Sequence, residues 1–310
     1  MAKEVKRSWW KWVLIPLGVF LFFVVVLPLV FSLIFFDGAQ LTGNVALIPI
    51  SGVIMTEESG SYFSSEVASS SEIVKSLHEA GENSQIKAIV LEINSPGGSA
   101  VASDEIGSAV KKAKLKKPVV AVIRDAGASG GYWVASAADY IVANRMSITG
   151  SIGVLSSYLE FSGLMEQYGV TYEKLTAGKY KDMGNPFEKL DVEKKEIIQK
   201  KLDKIHAFFI EEIATNRKLS VEKVKEMATG EFFLGVEAKE LGLVDELGEI
   251  STAETYLKQR LGLTSIEYRR YQEEPSFLEL LSSIFSDNSF KIGQGIGSVF
   301  VQEEPGILLK

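Results

Sequence analysis

The sequence predicts an α/β domain built on a largely parallel, covered sheet, and three observations predict it. Strand-like runs at residues 45–50, 86–93, 119–123 and 140–143 alternate with helix-compatible stretches. The apolar run 118–123 reads as a buried strand and passes directly into DAGASGGYWVASAA (125–138), a strand-to-helix junction made of small residues. The β-branched run IKAIVLEI (86–93) ends in Asn94-Ser95-Pro96-Gly97-Gly98-Ser99, where a helix over 101–113 begins, so the same strand–turn–helix grammar occurs twice.

The elements follow in order. Lys3, Lys6, Arg7 and Lys11 precede an uncharged run over residues 13–36, about 36 Å long as a helix at 1.5 Å per residue, against a hydrocarbon core of about 30 Å. Trp9, Trp10 and Trp12 stand where an aromatic belt would lie, and the cations lie upstream with Asp37 downstream. This predicts a single transmembrane helix over 13–36, a cytoplasmic N-terminus over 1–12, and a catalytic part outside the cell membrane. The competing reading is a cleaved signal peptide. Its apolar region should span about 7–15 residues and end in small residues, whereas this run is longer and ends in bulky Leu33-Ile34-Phe35-Phe36. Past it, 45–50 reads as a strand, 66–79 as a helix, and 170–175 as strand-like. A long charged helix over 192–217 repeats Ile198, Leu202, Ile205, Phe209 and Ile213 at helical spacing. Ser220 is the expected N-cap of a short helix. No internal repeat is present. After Pro275, residues 276–285 suit an amphipathic helix, and the domain is expected over 44–272 with a mobile tail over 273–310.

The chemistry centres on Ser129. A serine at a strand-to-helix junction is held proud of the backbone, and the first N–H groups of the helix have no internal partners. That suits a nucleophile with oxyanion donors beside it; the same residues also suit a plain, tight helix start packed on a sheet. Of the two histidines, His78 lies in a polar helix end and His206 in a charged amphipathic helix, neither with the surroundings of a catalytic base. Lysine is the other base for serine, active in its neutral form when burial favours it. Lys181, in the glycine-rich connection LTAGKYKDMGNPF, differs from the helix-borne lysines, though alone it reads as a loop lysine. The glycine pair Gly97-Gly98 suits an oxyanion hole or a turn needing positive φ. Ser151, in Thr149-Gly150-Ser151-Ile152-Gly153-Val154, suits a group that orients a lysine amine, or a simple glycine-flanked turn.

NSPGG, ASGGYW, TGSIGV and KYKD, in this order and spacing, resemble the signal peptide peptidase A family of membrane-anchored Ser/Lys peptidases, in its short single-domain bacterial-type form. The resemblance runs from about Asn44 to Tyr271 and includes TGEFFLGVEAKELGLVDELG (229–248), where FFLG departs mildly from the family at the residue before the glycine. It implies a Clp/crotonase-like spiral of ββα units. It also implies Ser129 as nucleophile, Lys181 as general base, Ser151 as the residue that orients Lys181, and the N–H groups of Gly97 (or its neighbour Gly98) and Gly130 as the oxyanion hole. The implied substrates are remnant signal peptides and other unfolded, apolar segments released from the membrane. Peptidases that process specific membrane-protein partners, and crotonase-type acyl-CoA enzymes, are the alternative readings; a catalytically dead scaffold would lack Ser129 or Lys181, and both are present. Tandem relatives carry two copies of the domain and this chain carries one. The resemblance therefore implies a homo-oligomeric ring in which Lys181 of one protomer serves Ser129 of the next. The tail is expected to be a substrate of its own enzyme.

Composition excludes other classes. The formal net charge of −7, with no basic patch interleaved with aromatics, argues against nucleic acid as a partner. The absence of cysteine removes thiol catalysis, disulfides and Cys-based zinc sites. No His/Asp/Glu group has metal-ligand spacing, so neither a metal nor a cofactor is expected.

Overall fold

The computed structural model describes residues 11–30, 43–57 and 67–271. The chain divides into two units, Met1–Tyr271 and Gln272–Lys310, and the expected tail with its helix over 276–285 lies outside the described residues. At the N-terminus α1 (Lys11–Leu21) contains Pro16 and gives way to a π-helical turn, Phe22–Val26, followed by helical residues 27–30. Among the described residues no helix is long and apolar enough to cross a membrane. The expected span over 13–36 is described only as far as residue 30.

The described strands join in one nine-stranded sheet. β1 (Val45–Met55), β2 (Val67–Ser69), β3 (Ala88–Gly98), β4 (Val119–Ala128), β5 (Tyr140–Ala143) and β8 (Glu246–Leu247) run in the spatial order β2-β1-β3-β4-β5-β8, every neighbouring pair parallel. β9 (Tyr268–Arg270) pairs parallel with β1. β6 (Ile148–Gly150) pairs parallel with β4 and antiparallel with β7 (Phe232–Leu234). The connections carry α2 (Ser70–Glu82), α3 (Ala100–Lys114), α4 (Gly130–Ser136), α5 (Ser162–Gln167), α6 (Val192–Arg217), α7 (Val221–Met227), α8 (Gly235–Leu241) and α9 (Ile250–Leu261).

Strand residues alternate between faces, and both faces are covered. Ile48, Ile50, Ile89, Leu91 and Ile93 face one core, shared with Ile73 and Leu77 of α2, Ile106 of α3 and Phe209 of α6. Val45, Leu47, Val90, Val120 and Val122 face the other, closed by Ala253 and Leu257 of α9. Double coverage is why these strands are apolar along their whole length.

Two departures from the expected boundaries matter for the site. β3 does not stop at Ile93 but continues through the Pro-Gly-Gly turn to Gly98, paired with the far end of β1 after a register shift between Ser51 and Val53. β4 forks: residues 120–123 pair with β5, whereas 126–128 pair with β6. The fork opens the sheet where β4 ends, and Ser129 follows directly. Elsewhere, residues 67–69 form β2 rather than the start of a helix, because β1 offers them a pairing edge. Residues 170–175 are exposed and irregular instead of strand-like: among the described residues no strand lies beside them, and an apolar stretch becomes a strand only where a neighbour completes its backbone bonds. The long helix (192–217) and the short helix capped by Ser220, whose Oγ accepts from Lys223 N–H at 3.1 Å, stand where their sequence patterns put them.

Candidate active site

Ser129 stands alone between the end of β4 and the start of α4, with φ 52° and ψ −121°. A non-glycine residue in such a conformation costs roughly 1–3 kcal/mol, and it persists only when its surroundings hold it. Two backbone bonds do so: Ser129 N–H donates to Gly150 O (2.8 Å), and Trp133 N–H donates to Ser129 O (2.9 Å). The Ser129 hydroxyl takes no part in capping α4. Glycines let three segments close around it. A Cβ on Gly130 would lie 2.3 Å from Ser103 Oγ, and a Cβ on Gly97, where φ is 99°, would lie 2.6 Å from Gly130 N.

The two glycines of the expected oxyanion turn differ in their bonding. Gly97 N–H is already used: it donates to Ser95 Oγ (3.1 Å), and Ser95, fully buried, donates in turn to Gly52 O (2.6 Å). In the ladder with β1 it is Ser99 N–H that reaches Ile54 O (2.8 Å), and Gly98 N lies 3.3 Å from where a Gly130 Cβ would be. Gly130 N–H, the first of its helix, has no intrahelical acceptor. The positive φ of Gly97 turns successive peptide groups to opposite sides, which separates the two N–H groups of the pair.

Ser151 joins the same neighbourhood through Gly150, whose carbonyl receives Ser129 N–H. It too has positive φ, 50°. Its N–H donates to Glu231 O (2.9 Å), and its Oγ donates to Gly230 O at 3.3 Å rather than to a lysine. His206, half-buried on α6, places Nε2 3.2 Å from Ile152 O and so props this turn.

Lys181 is not bonded to these groups. It sits in a turn, its N–H donating to Gly178 O (3.2 Å); it is exposed, and its side chain makes no hydrogen bond or ion pair with a described residue. Its turn is held by its neighbours. The Asp182 side chain is 8% exposed and is gripped by Lys174 and by Lys194 (3.1 Å); Lys174 also binds Glu188. Hydrogen bonds from Lys174 first and Lys194 second hold the Asp182 carboxyl well below the usual carboxylate range. On the other side Tyr180 OH donates to Glu193 (2.5 Å), which also receives Lys179.

The structure therefore brings Ser129, Ser151, Gly130 and the Gly97-Gly98 turn together, and leaves Lys181 outside in a self-supported arm. Sequence reasoning missed Ser95 and Asp182, which lie inside motifs that stand out for their glycines and lysine; it weighs His206 only as a base, and nothing local marks its bond to Ile152 O.

The chain is similar to known peptidases. Peptidase family S49 matches residues 111–264, and the Clp protease family matches residues 55–155. A candidate protease of Methanocaldococcus jannaschii is 36% identical over 223 residues, covering 72% of this chain and 71% of that protein. A candidate signal peptide peptidase of Enterococcus faecium is 35% identical, covering 73% and 67%. Protease 4 of Haemophilus influenzae is 31% identical, covering 79% of this chain and 40% of its own length.

Proposed function

The chain belongs to peptidase family S49 and is a serine peptidase, and from that premise we propose that Ser129 and Lys181 form its catalytic dyad. The observation that carries the reading is Ser129 itself, a strained serine at the mouth of a forked sheet with Gly98 and Gly130 N–H groups beside it. In the reaction, neutral Lys181 takes the Ser129 proton as Oγ attacks the peptide carbonyl, and a tetrahedral intermediate forms. Its oxyanion is received by Gly98 and Gly130, the charge developing where preorganised donors already point. Lys181 then protonates the departing amine. Water, activated by the same lysine, cleaves the acyl-enzyme.

Lysine bases act in their neutral form, which burial favours. Exposed Lys181 gains burial only when something covers it. We propose that a second copy of the chain does so, its Ser129 site receiving Lys181, and that repetition of this head-to-tail contact closes a ring. The exposed apolar side chains of the same arm, Leu159, Tyr168 and Leu175 among them, support an interface there. Ser151 orients the lysine after exchanging its bond to Gly230 O. The test mixes two inactive proteins, Ser129→Ala and Lys181→Ala, under conditions that exchange subunits. Activity returns if the dyad is shared; mixed assemblies that form and stay inactive refute sharing.

We read the fold as a spiral of ββα units and the substrates as unfolded apolar peptides, remnant signal peptides among them. We also read residues 13–36 as an anchor that leaves the domain outside the cell membrane. Support comes from the apolar composition and from side chains between Leu14 and Val30, which are exposed rather than packed on the domain. Carbonate extraction of membranes tests it: release of the full-length chain into the soluble fraction would remove the anchor.

A further inference from the structure

Beside the nucleophile junction lies an open cleft of about 530 Å³ between α3 and α6. Its apolar lining comes from Val101, Trp133, Ile205 and Phe208; Val101 is 61% and Phe208 51% exposed, while Trp133 forms a buried floor. Its acidic lining comes from Asp104, Glu211 and Glu212. Glu212 is engaged by Lys111 and Asn216, but Asp104 and Glu211 are exposed and form no ion pair with a described residue.

The cleft has a direction. At one end α3 starts directly after the Gly97-Gly98 turn, Trp133 N–H donates to Ser129 O, and His206, next to Ile205, meets Ile152 O. At the other end α3 and α6 are tied by Lys111 and Glu212, and α4 and α6 by Asn216 Nδ2 donating to Ser136 Oγ (3.1 Å). All three helices thus run away from Ser129. At 1.5 Å per residue, Glu211 lies about 9 Å along α6 from Ile205, and Asp104 about 4.5 Å along α3 from Val101. The near end holds apolar groups, among them Phe208, whose ring carries Lys204 at 5.7 Å; the carboxylates of Asp104 and Glu211 lie farther along.

We infer that this cleft is a substrate subsite for peptides that carry apolar residues next to the scissile bond and a Lys or Arg a few residues beyond. Resting on the peptidase reading, the inference adds a charge preference to it. An extended peptide advances about 3.3 Å per residue, so a cation about one to three residues beyond the apolar residue that meets Val101 and Ile205 reaches Asp104 and Glu211.

The test uses the full-length protein and internally quenched apolar peptides. Each carries a single Lys or Gln, stepped one position at a time away from the cleaved bond on either side. On one side, Lys at the distant positions raises kcat/KM about three- to tenfold over Gln, as expected for partly exposed charge pairs. The ratio shrinks as salt is raised. In Asp104→Asn/Glu211→Gln protein the ratio falls to about one. A ratio near one at every position in the wild type overturns the inference, as does an undiminished ratio in the double variant. If that variant instead changes the mass of the assembly and keeps the ratio, the cleft is a contact between copies of this chain. If wild-type protein cleaves none of the peptides, Gln or Lys, the peptidase reading itself fails and takes the inference with it.

Discussion

The serine half and the lysine half of this molecule are built in opposite ways. Ser129 is held by a parallel sheet, by glycines that admit no side chain, and by a buried serine, Ser95, behind the turn. Lys181 rides on an exposed arm whose order comes from Asp182 held by two lysines and Glu193 held by Tyr180 and Lys179. One half is preorganised by burial, as the proposed nucleophile and oxyanion donors would require. The other is an ion-pinned loop with apolar side chains facing outward. A lysine held this way has no partner for its amine among the described residues, which is the difference expected if, as proposed, a neighbouring copy completes the site.

The comparison breaks most sharply at the two proposed catalytic groups. Ser129→Ala and Lys181→Ala should each lower kcat by about a thousandfold or more with the fold intact, and combining them should add little, since members of one catalytic unit are not additive. Peptide turnover and circular dichroism check this; a tenth of the activity surviving in either variant sinks the dyad.

Ser95→Ala probes the buried half alone. It removes the acceptor that turns Gly97 N–H inward, and the Gly98 N–H should lose its aim. A lost oxyanion donor costs about 10²–10³ in kcat, and a loosened one about tenfold. Steady-state kinetics should show the fall in kcat with KM little changed. A pure KM effect would mean that Ser95 serves substrate binding instead.

Asp182→Asn probes the exposed half. The carboxyl of Asp182 is held below its ordinary value by Lys174 and Lys194. Its contribution to the arm is therefore complete above the unfolded value of about 4 and is lost as pH falls through the depressed folded value. Hydrogen exchange of residues 174–194 should be uniform at neutral pH and accelerate only in acid. In the Asn variant it should already be severalfold faster at pH 7, while residues 119–136 stay protected. Equal exchange in both proteins would show that the ion pairs do not order the arm.

The smallest effects belong to the histidines. His206→Ala removes a prop from the Ser151 turn and should cost a few-fold in kcat; His78→Ala should be neutral. A loss of a hundredfold in either, read from the same assay, would point to a histidine base.

Much of this was legible because it is local. The apolar strands, the charged helix over 192–217, and the junction around Ser129 are written in short-range periodicity and in runs of small residues, which report how much of each segment must be buried. The expected strand over 170–175 failed for the complementary reason, since periodicity does not say whether a neighbouring strand exists to accept the bonds.

What the sequence determined by itself was the α/β order of elements and the family, through four short motifs. Tertiary structure decided the rest. Pairing with β1 carried β3 on to Gly98; the buried Ser95 engaged Gly97 N–H; ion pairs between α6 and the arm set where Lys181 stands. Each depends on groups distant along the chain meeting in space. A hydrogen bond or an ion pair has two ends, and a sequence pattern describes only one of them.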